Sequence, residues 1–312
     1  MIKKRMIKNI SLLAIVLLCV TAGLAQKGVG IGTKAVAPAK QDKIIFAVMG
    51  DGTSIEPIAF VESGHLVNSV GGDAAPEQLK AFSELYYPAS AKYDLIFGGV
   101  STGKVEVKSN NAASDCGKNI AEVTIQSIKT KLKGNVMALA TNSLPKTAAS
   151  GVRRTPNAAE KTEIEALVRA EFTKQKVSAA AQKVLHFQNL TALDTDKDGK
   201  VEIVGSYYVN TNTTDRALLF FIAEKNSAGK FVLSLKSFER VNQKDVMSND
   251  IKDIDQGLYH ELLLDTLDYD NDGKSDIFTY RPGFEGNTFN VYHNNAGKWV
   301  KVLETSNYHC AY

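Results

Sequence analysis

Apolar residues recur along this chain in distinct rhythms, and each rhythm predicts a different kind of element. Residues 43–48, 55–61, 93–97, 105–108, 121–128 and 136–140 are short apolar or alternating runs, the pattern of strands that bury one face or both. They predict an antiparallel, β-rich N-terminal domain over residues 43–150. Within it, residues 77–87 have helical spacing behind Pro76, and proline suits the first helical turn, where its missing N–H is not needed. Residues 141–155, rich in Thr, Ala, Ser and Gly, read as a linker or long loop. From Pro156 the period changes. Ile164, Leu167, Val168 and Phe172 fall on one helical face with Lys and Glu on the others, so a connecting segment 151–183 carries an amphipathic helix that docks on a sheet.

The last third repeats itself. Residues 184–240 and 258–312 form two tandem units, offset by 74 positions at their acidic cores (268 minus 194). His186 and His260 each stand eight residues before an acidic loop, and Leu193 and Leu267 directly precede it. Downstream, an Ala-Gly-Lys turn at 228–230 is answered at 296–298. Each unit offers four strands: one into the acidic loop, one out, then a hairpin closed by that turn. The fold expected is mainly β, with two four-stranded, propeller-like blades that are too few to close a propeller. The pair must stack on each other or lean on the first domain to cover its faces.

Each acidic loop has the chemistry of a hard-cation site. Asp194, Asp196 and Asp198 are followed by Gly199, Lys200 and Glu202; Asp268, Asp270 and Asp272 are followed by Gly273, Lys274 and Asp276. Alternate carboxylates on the inner side of a tight loop, with a backbone carbonyl at position seven (Lys200, Lys274), suit Ca²⁺. Glycine at position six lets the backbone reverse through left-handed dihedrals. A helix–loop–helix site needs a bidentate Glu at position twelve; Gly205 and Thr279 stand there, in strand-like sequence. The pattern D-x-D-x-D-G-x-x-[DE], with Ile203 and Ile277 next, resembles the calcium-binding hairpin loops of the FG-GAP/VCBS repeat family, over residues 184–312 only. The resemblance implies two Ca²⁺ ions held by structural loops, and a binding or adhesion module with a protein or glycan ligand.

Composition changes the picture at the N-terminus. Lys3, Lys4, Arg5 and Lys8 precede an apolar run at 12–18 that ends in Gly23, Leu24 and Ala25, the layout of a secretory signal with cleavage after Ala25. The run is short for a membrane span. Cys19 raises a lipoprotein alternative, against which stands the bulk of Leu18. Residues 26–42 have no periodicity and read as a flexible leader. The whole chain has 37 basic and 34 acidic residues; without the four basic ones before Ala25 the balance is 33 to 34, which argues against nucleic acid as partner. Secreted or periplasmic placement would permit a disulfide between Cys116 and Cys310, two unpaired thiols being the alternative.

Other signals are weaker. Residues 98–104 contain G-x-S-x-G around Ser101 and nearly match a phosphate loop, but Val105 stands where Ser or Thr would ligate Mg²⁺. Both motifs need strand–turn–helix, whereas Val105 and Val107 alternate like a strand, so a hairpin turn accounts for the same letters. Tyr207, Tyr208, Tyr280, Phe284, Tyr292 and Trp299 fill space between sheets or line a sugar or peptide surface. His186 and His260 read as structural, since eight extended residues span about 26 Å. Asp250, Asp253 and Asp255 read as a solvated turn. Three classes of function remain: a non-enzymatic binding or adhesion module, an envelope structural protein without a discrete ligand, and a serine hydrolase using Ser101.

Overall fold

The computed structural model describes residues 41–127 and 130–310; the expected signal segment 1–25, the leader up to residue 40 and Ile128 lie outside the described residues. Residues from 41 onward belong to one compact unit, Ala39–Tyr312, which is mainly β and antiparallel.

The N-terminal strands are β1 (Lys43–Met49), β2 (Ser54–Glu62), β3 (His65–Asn68), β4 (Lys92–Phe97), β5 (Val100–Asn110), β6 (Ala121–Gln126) and β7 (Ala138–Thr141), with helix α1 (Pro76–Tyr86) between β3 and β4. They pair in the order β1-β7-β4-β5-β6-β2-β3, and a further β1–β2 pairing closes six of them into a barrel. The β2 strand makes closure possible: β6 holds its start at Ser54 and Ile55, and β3 holds its end from Ala59 to Glu62. Inside the barrel, Ile44, Phe46, Val48, Leu95 and Val105 meet Phe82, Tyr86 and Tyr87 from the helical segment. The β3 strand had no signature in the sequence.

Next come β8 (Arg153–Arg154), α2 (Ala158–Lys174), β9 (His186–Leu193), β10 (Glu202–Asn210), β11 (Asp215–Lys225) and β12 (Phe231–Asn242). Helix α3 (Lys252–Asp255) is next, then β13 (Leu262–Leu267), β14 (Asp276–Pro282), β15 (Gly286–Asn295) and β16 (Lys298–Tyr308). Each repeat unit is a four-stranded antiparallel meander, β9 to β12 and β13 to β16, with β8 added at the β9 edge of the first. Helix α2 begins with a reciprocal cap, Asn157 accepting from the Glu160 N–H and Glu160 from the Asn157 N–H.

Period-two alternation dictates how these layers stack. In β1, Ile44 and Phe46 point into the barrel while Ile45 and Ala47 meet Leu262, Leu264 and Phe278 of the second repeat. The opposite face of that repeat, through Leu263, Ile277 and Trp299, packs on Val204, Phe220 and Ile222 of the first. The far face of the first repeat, with Ile203 and Phe221, lies under Ile164, Val168 and Phe172 of α2. The order is barrel, sheet, sheet, helix. The repeats therefore both stack on each other and lean on the N-terminal domain, and doubly buried strands explain why runs such as 43–48 are continuously apolar.

The 141–155 segment is irregular from residue 142 to 152, as a long loop should be, and ends in β8, where the Arg153 side chain is only 4% exposed. One expectation is corrected. The acidic stretch at 250–255 is no solvated turn but contains α3, where Asp255 receives Arg216 Nε at 2.6 Å and Nη2 at 2.8 Å. Neither partner was predictable, because each ion pair joins residues distant in sequence. Cys116 and Cys310 are disulfide-bonded, closing a separation of 194 residues between the barrel and the C-terminal strand.

The repeat histidines converge on one tyrosine. His186 stacks on Tyr208 at 4.8 Å, and His260 meets it edge-on at 5.1 Å with Nδ1 3.2 Å from Ser206 Oγ. Burial pushes the His260 imidazole down to about 4. A folded-state value below that of the unfolded chain means that acid protonates the unfolded chain first. Stability is thus intact above about 6.5 and lost as pH falls towards 4, by roughly 3 kcal/mol for this group. Urea titrations of the wild type and of His260→Gln at pH 7 and pH 4.5 should show the wild type losing more stability; equal losses would clear His260 of this role.

Candidate metal centre

Both acidic loops are hairpin connections of the same shape. Glu202 pairs with Leu193 and Asp276 with Leu267, so residues 194–201 and 268–275 bridge β9–β10 and β13–β14. The backbone is left-handed at Lys197 (φ 64°) and Gly199 (φ 79°), and at the matching Asn271 (φ 65°) and Gly273 (φ 97°). Successive carboxylates hold the turn. Asp196 accepts the Asp198 N–H and Asp198 the Lys200 N–H, as Asp270 accepts the Asp272 N–H and Asp272 the Lys274 N–H. The two loops thus match in backbone geometry as well as in letters.

The carboxylates converge. Asp194, Asp196 and Asp198 each place an oxygen within 4.8 Å of the others, and so do Asp270 and Asp272 together with a ring nitrogen of His293. Oxygens on opposite sides of a bound Ca²⁺ lie about 4.6–5.2 Å apart, twice the usual ligand distance. Three carboxylate oxygens, Asp194 Oδ1, Asp268 Oδ1 and Asp276 Oδ2, are buried with no hydrogen-bond partner. Among the described residues, no other carboxylate has an oxygen in that state.

Electrostatics tell the same story. Burial, followed by the charges of Asp270, Asp272 and Asp268, pushes Asp276 up to about 9. Burial likewise raises Asp268. In the first loop, burial pushes Glu202 up to about 7, against two hydrogen bonds from the Thr195 N–H and hydroxyl. Glu202 therefore secures the second position of its loop and lies outside the three-carboxylate cluster. Lys200 donates its ammonium to Asp198 at 2.9 Å on the exposed rim. Lys274 is held through its N–H by Asp272 at 2.8 Å.

His293 is the ligand-type residue that sequence reasoning missed. It lies on β15, one step beyond the Ile277–Tyr292 pair and so across from Asp276, whose Oδ1 is 2.8 Å from its Nδ1. The first repeat has Glu224 at the matching place, one step beyond Ile203–Ala223. Counting back from the repeated Ala-Gly-Lys turn would not have found it, because Glu224 stands four residues before Ala228 and His293 three before Ala296.

The two loops touch. The Ser275 N–H donates to the Thr195 carbonyl at 2.7 Å. The 141–155 segment then straps both. The Lys146 N–H binds Asn271 Oδ1, Ala148 O receives Lys197 Nζ, and Ser150 Oγ donates to Asp194 O. The strap ends at Arg153, whose Nη1 lies 2.9 Å from Asp265 Oδ2 and 2.7 Å from Leu264 O, with the guanidinium 4.2 Å from the Phe97 ring centre. Burial raises the Asp265 carboxyl, opposed by Arg153 and by backbone donors.

Those donors account for the two-motif heptapeptide. The Gly98 and Gly99 N–H groups aim at the Asp265 carboxylate, at 2.9 Å and 3.3 Å. Both glycines have left-handed φ in the tight turn between β4 and β5. The turn leads into strand β5 rather than a helix, and Ser101 Oγ donates to Asp94 at 2.8 Å on the exposed side. The glycines thus serve an internal carboxylate by the same backbone chemistry that a phosphate loop uses on its ligand. Of the aromatic set, Tyr207, Tyr208, Tyr292 and Trp299 are buried, whereas Tyr280 and Phe284 are half-buried and line a cleft.

Arg153→Met should leave Asp265 buried without its cation and cost about 3–5 kcal/mol, read as a lower urea midpoint at unchanged slope. Asp94→Asn, at the partly exposed pair with Lys104, should cost less than about 1 kcal/mol. Among the described residues no helix is long and apolar enough to cross a membrane. Comparison of the chain with protein-family models, with curated proteins and with solved structures finds no match.

Proposed function

We propose that this chain is a secreted or periplasmic calcium-binding repeat protein, a binding or adhesion module rather than an enzyme. Its two meanders serve as FG-GAP/VCBS-like blades whose loops each hold a structural Ca²⁺. One observation carries the reading: among the described residues, the buried carboxylate oxygens that lack a hydrogen-bond partner all belong to the two acidic loops. Elsewhere among the described residues buried carboxylate oxygens meet donors; here Asp194 Oδ1, Asp268 Oδ1 and Asp276 Oδ2 meet none, beside further acid. An added cation resolves the repulsion, and Asp194, Asp196 and Asp198 in one loop and Asp268, Asp270, Asp272 and Asp276 in the other are the side chains to hold it. The carbonyls of Lys200 and Lys274 complete the two sets. The Cys116–Cys310 disulfide suits an oxidising compartment.

A ligand surface is offered where Tyr280 and Phe284, with Asn135, Asp253 and Gln256, line a cleft of about 430 Å³. Two aromatic faces among amide and carboxylate groups suit a sugar or an extended peptide.

Calcium should raise stability by mass action. At 1 mM free ion and a dissociation constant near 10⁻⁴ M, two sites contribute about 3 kcal/mol, or about 5–10 °C in Tm. Melting in Ca²⁺ and in chelator reads this directly, and equal midpoints would sink the reading. Asp196→Ala and Asp270→Ala should each reduce the Ca²⁺ stoichiometry from two to one. On glycan and peptide arrays probed in Ca²⁺, binding that Tyr280→Ala abolishes is the expected result; a blank array would favour a structural role in the envelope.

A further inference from the structure

The two loops share a backbone but not a donor set, and the difference is chemical. The first cluster is oxygen only: Asp194, Asp196 and Asp198. The second adds an imidazole, because His293 places a ring nitrogen within 4.8 Å of oxygens from both Asp270 and Asp272. Asp268 and Asp276 stand beside this group at 4% and 1% exposure, each with a buried oxygen that no donor reaches. His293 is itself held in place, with Nδ1 2.8 Å from Asp276 Oδ1. A carboxylate that orients an imidazole beside a cluster of further carboxylates is the usual arrangement around a histidine-bound metal.

Ligand preference separates the loops. Ca²⁺ is hard and takes oxygen, whereas imidazole favours first-row transition ions, whose affinity for nitrogen and oxygen sites rises from Mn²⁺ to Cu²⁺. The place of His293 is taken in the first repeat by Glu224, which accepts from Asn294 Nδ2 at 2.9 Å. That loop therefore keeps an all-oxygen rim. We propose that the second loop is a mixed carboxylate–imidazole centre at which a first-row divalent ion such as Co²⁺ displaces Ca²⁺, while the first loop retains Ca²⁺. This inference rests on the reading of both loops as cation sites.

Equilibrium dialysis of the full processed chain, with both metals quantified, tests it. Loaded with Ca²⁺ and then dialysed against Co²⁺, the protein should exchange one equivalent per chain and keep one Ca²⁺. The bound Co²⁺ should show visible absorption that His293→Asn shifts. His293→Asn, which retains a polar side chain at that position, should weaken Co²⁺ binding about tenfold or more while Ca²⁺ stoichiometry stays at two. Asp194→Ala should remove one Ca²⁺ and leave the Co²⁺ exchange intact. Two outcomes overturn the proposal: Co²⁺ replacing both Ca²⁺ ions equally or neither, or Co²⁺ affinity that His293→Asn leaves unchanged. Failure of Ca²⁺ to bind either loop would instead overturn the reading of the loops on which it depends.

Discussion

Carboxylate charge held away from water is the constraint on which this structure turns. A buried carboxylate is tolerated only when donors or a cation meet its oxygens. The chain solves this in several places with its own groups. Asp265 has Arg153 and the Gly98 and Gly99 N–H groups; Glu56 has Asn287, Asn307 and His309; Glu261 has Thr279, Asn290 and Tyr292. The Asp265 and Glu56 solutions cross between elements far apart in sequence, so both also fix how two layers meet, whereas the half-buried Glu261 finds its partners on strands of one sheet. Glu56 ties the barrel to the last two strands, and Asp265 ties β13 to the β4–β5 turn and the strap. The acidic loops are the exception: Asp194, Asp268 and Asp276 each keep a buried oxygen that no donor meets.

Apolar packing sets the order of layers around these polar junctions. The second repeat is covered on both faces along β13 and β14: one face meets the barrel through Leu262, Leu264 and Phe278, the other meets the first repeat through Leu263 and Ile277. Alternation along β13 and β14 assigns every one of those side chains, and a slip of one residue would exchange the two interfaces. The acidic loops are the turns joining the strand pairs of both sheets. A turn that holds its register therefore holds two interfaces, and this is the physical sense in which a cation there would be structural.

Periodic features were legible from sequence and convergent ones were not. Most of the barrel strands, the Pro76 and Pro156 helix starts and the four strands of each repeat arise from alternation, helical spacing and turn residues, all of which are local. The aspartates could be grouped because one tight loop carries them. His293 could not, since it reaches the second loop across a strand pair. Arg153 sat in a stretch whose composition reads as loop, and its burial is decided by Asp265, more than a hundred residues later. Gly98 and Gly99 were visible as a motif, but which anion they face is a property of the fold. The short β3 and the Arg216–Asp255 pair escaped for the same reason: neither has a periodic or local cause.

The two acidic loops are in direct contact. Thr195 lends its carbonyl to Ser275, and Thr195 is also the residue that Glu202 holds through both its N–H and its hydroxyl. A change in the first loop that moves Thr195 must therefore disturb the N–H of Ser275, the neighbour of Lys274 and Asp276 in the second. The strap adds a second connection, since Lys146 bonds one loop while Ala148 and Ser150 bond the other. Because the same strap runs on to Arg153, a buried ion pair with Asp265 ties the two loops to β13, and Asp265 meets the barrel through the Gly98 and Gly99 N–H groups. Charge density at the loops and charge pairing beneath them thus form one continuous polar seam, and the sheets pack on either side of it.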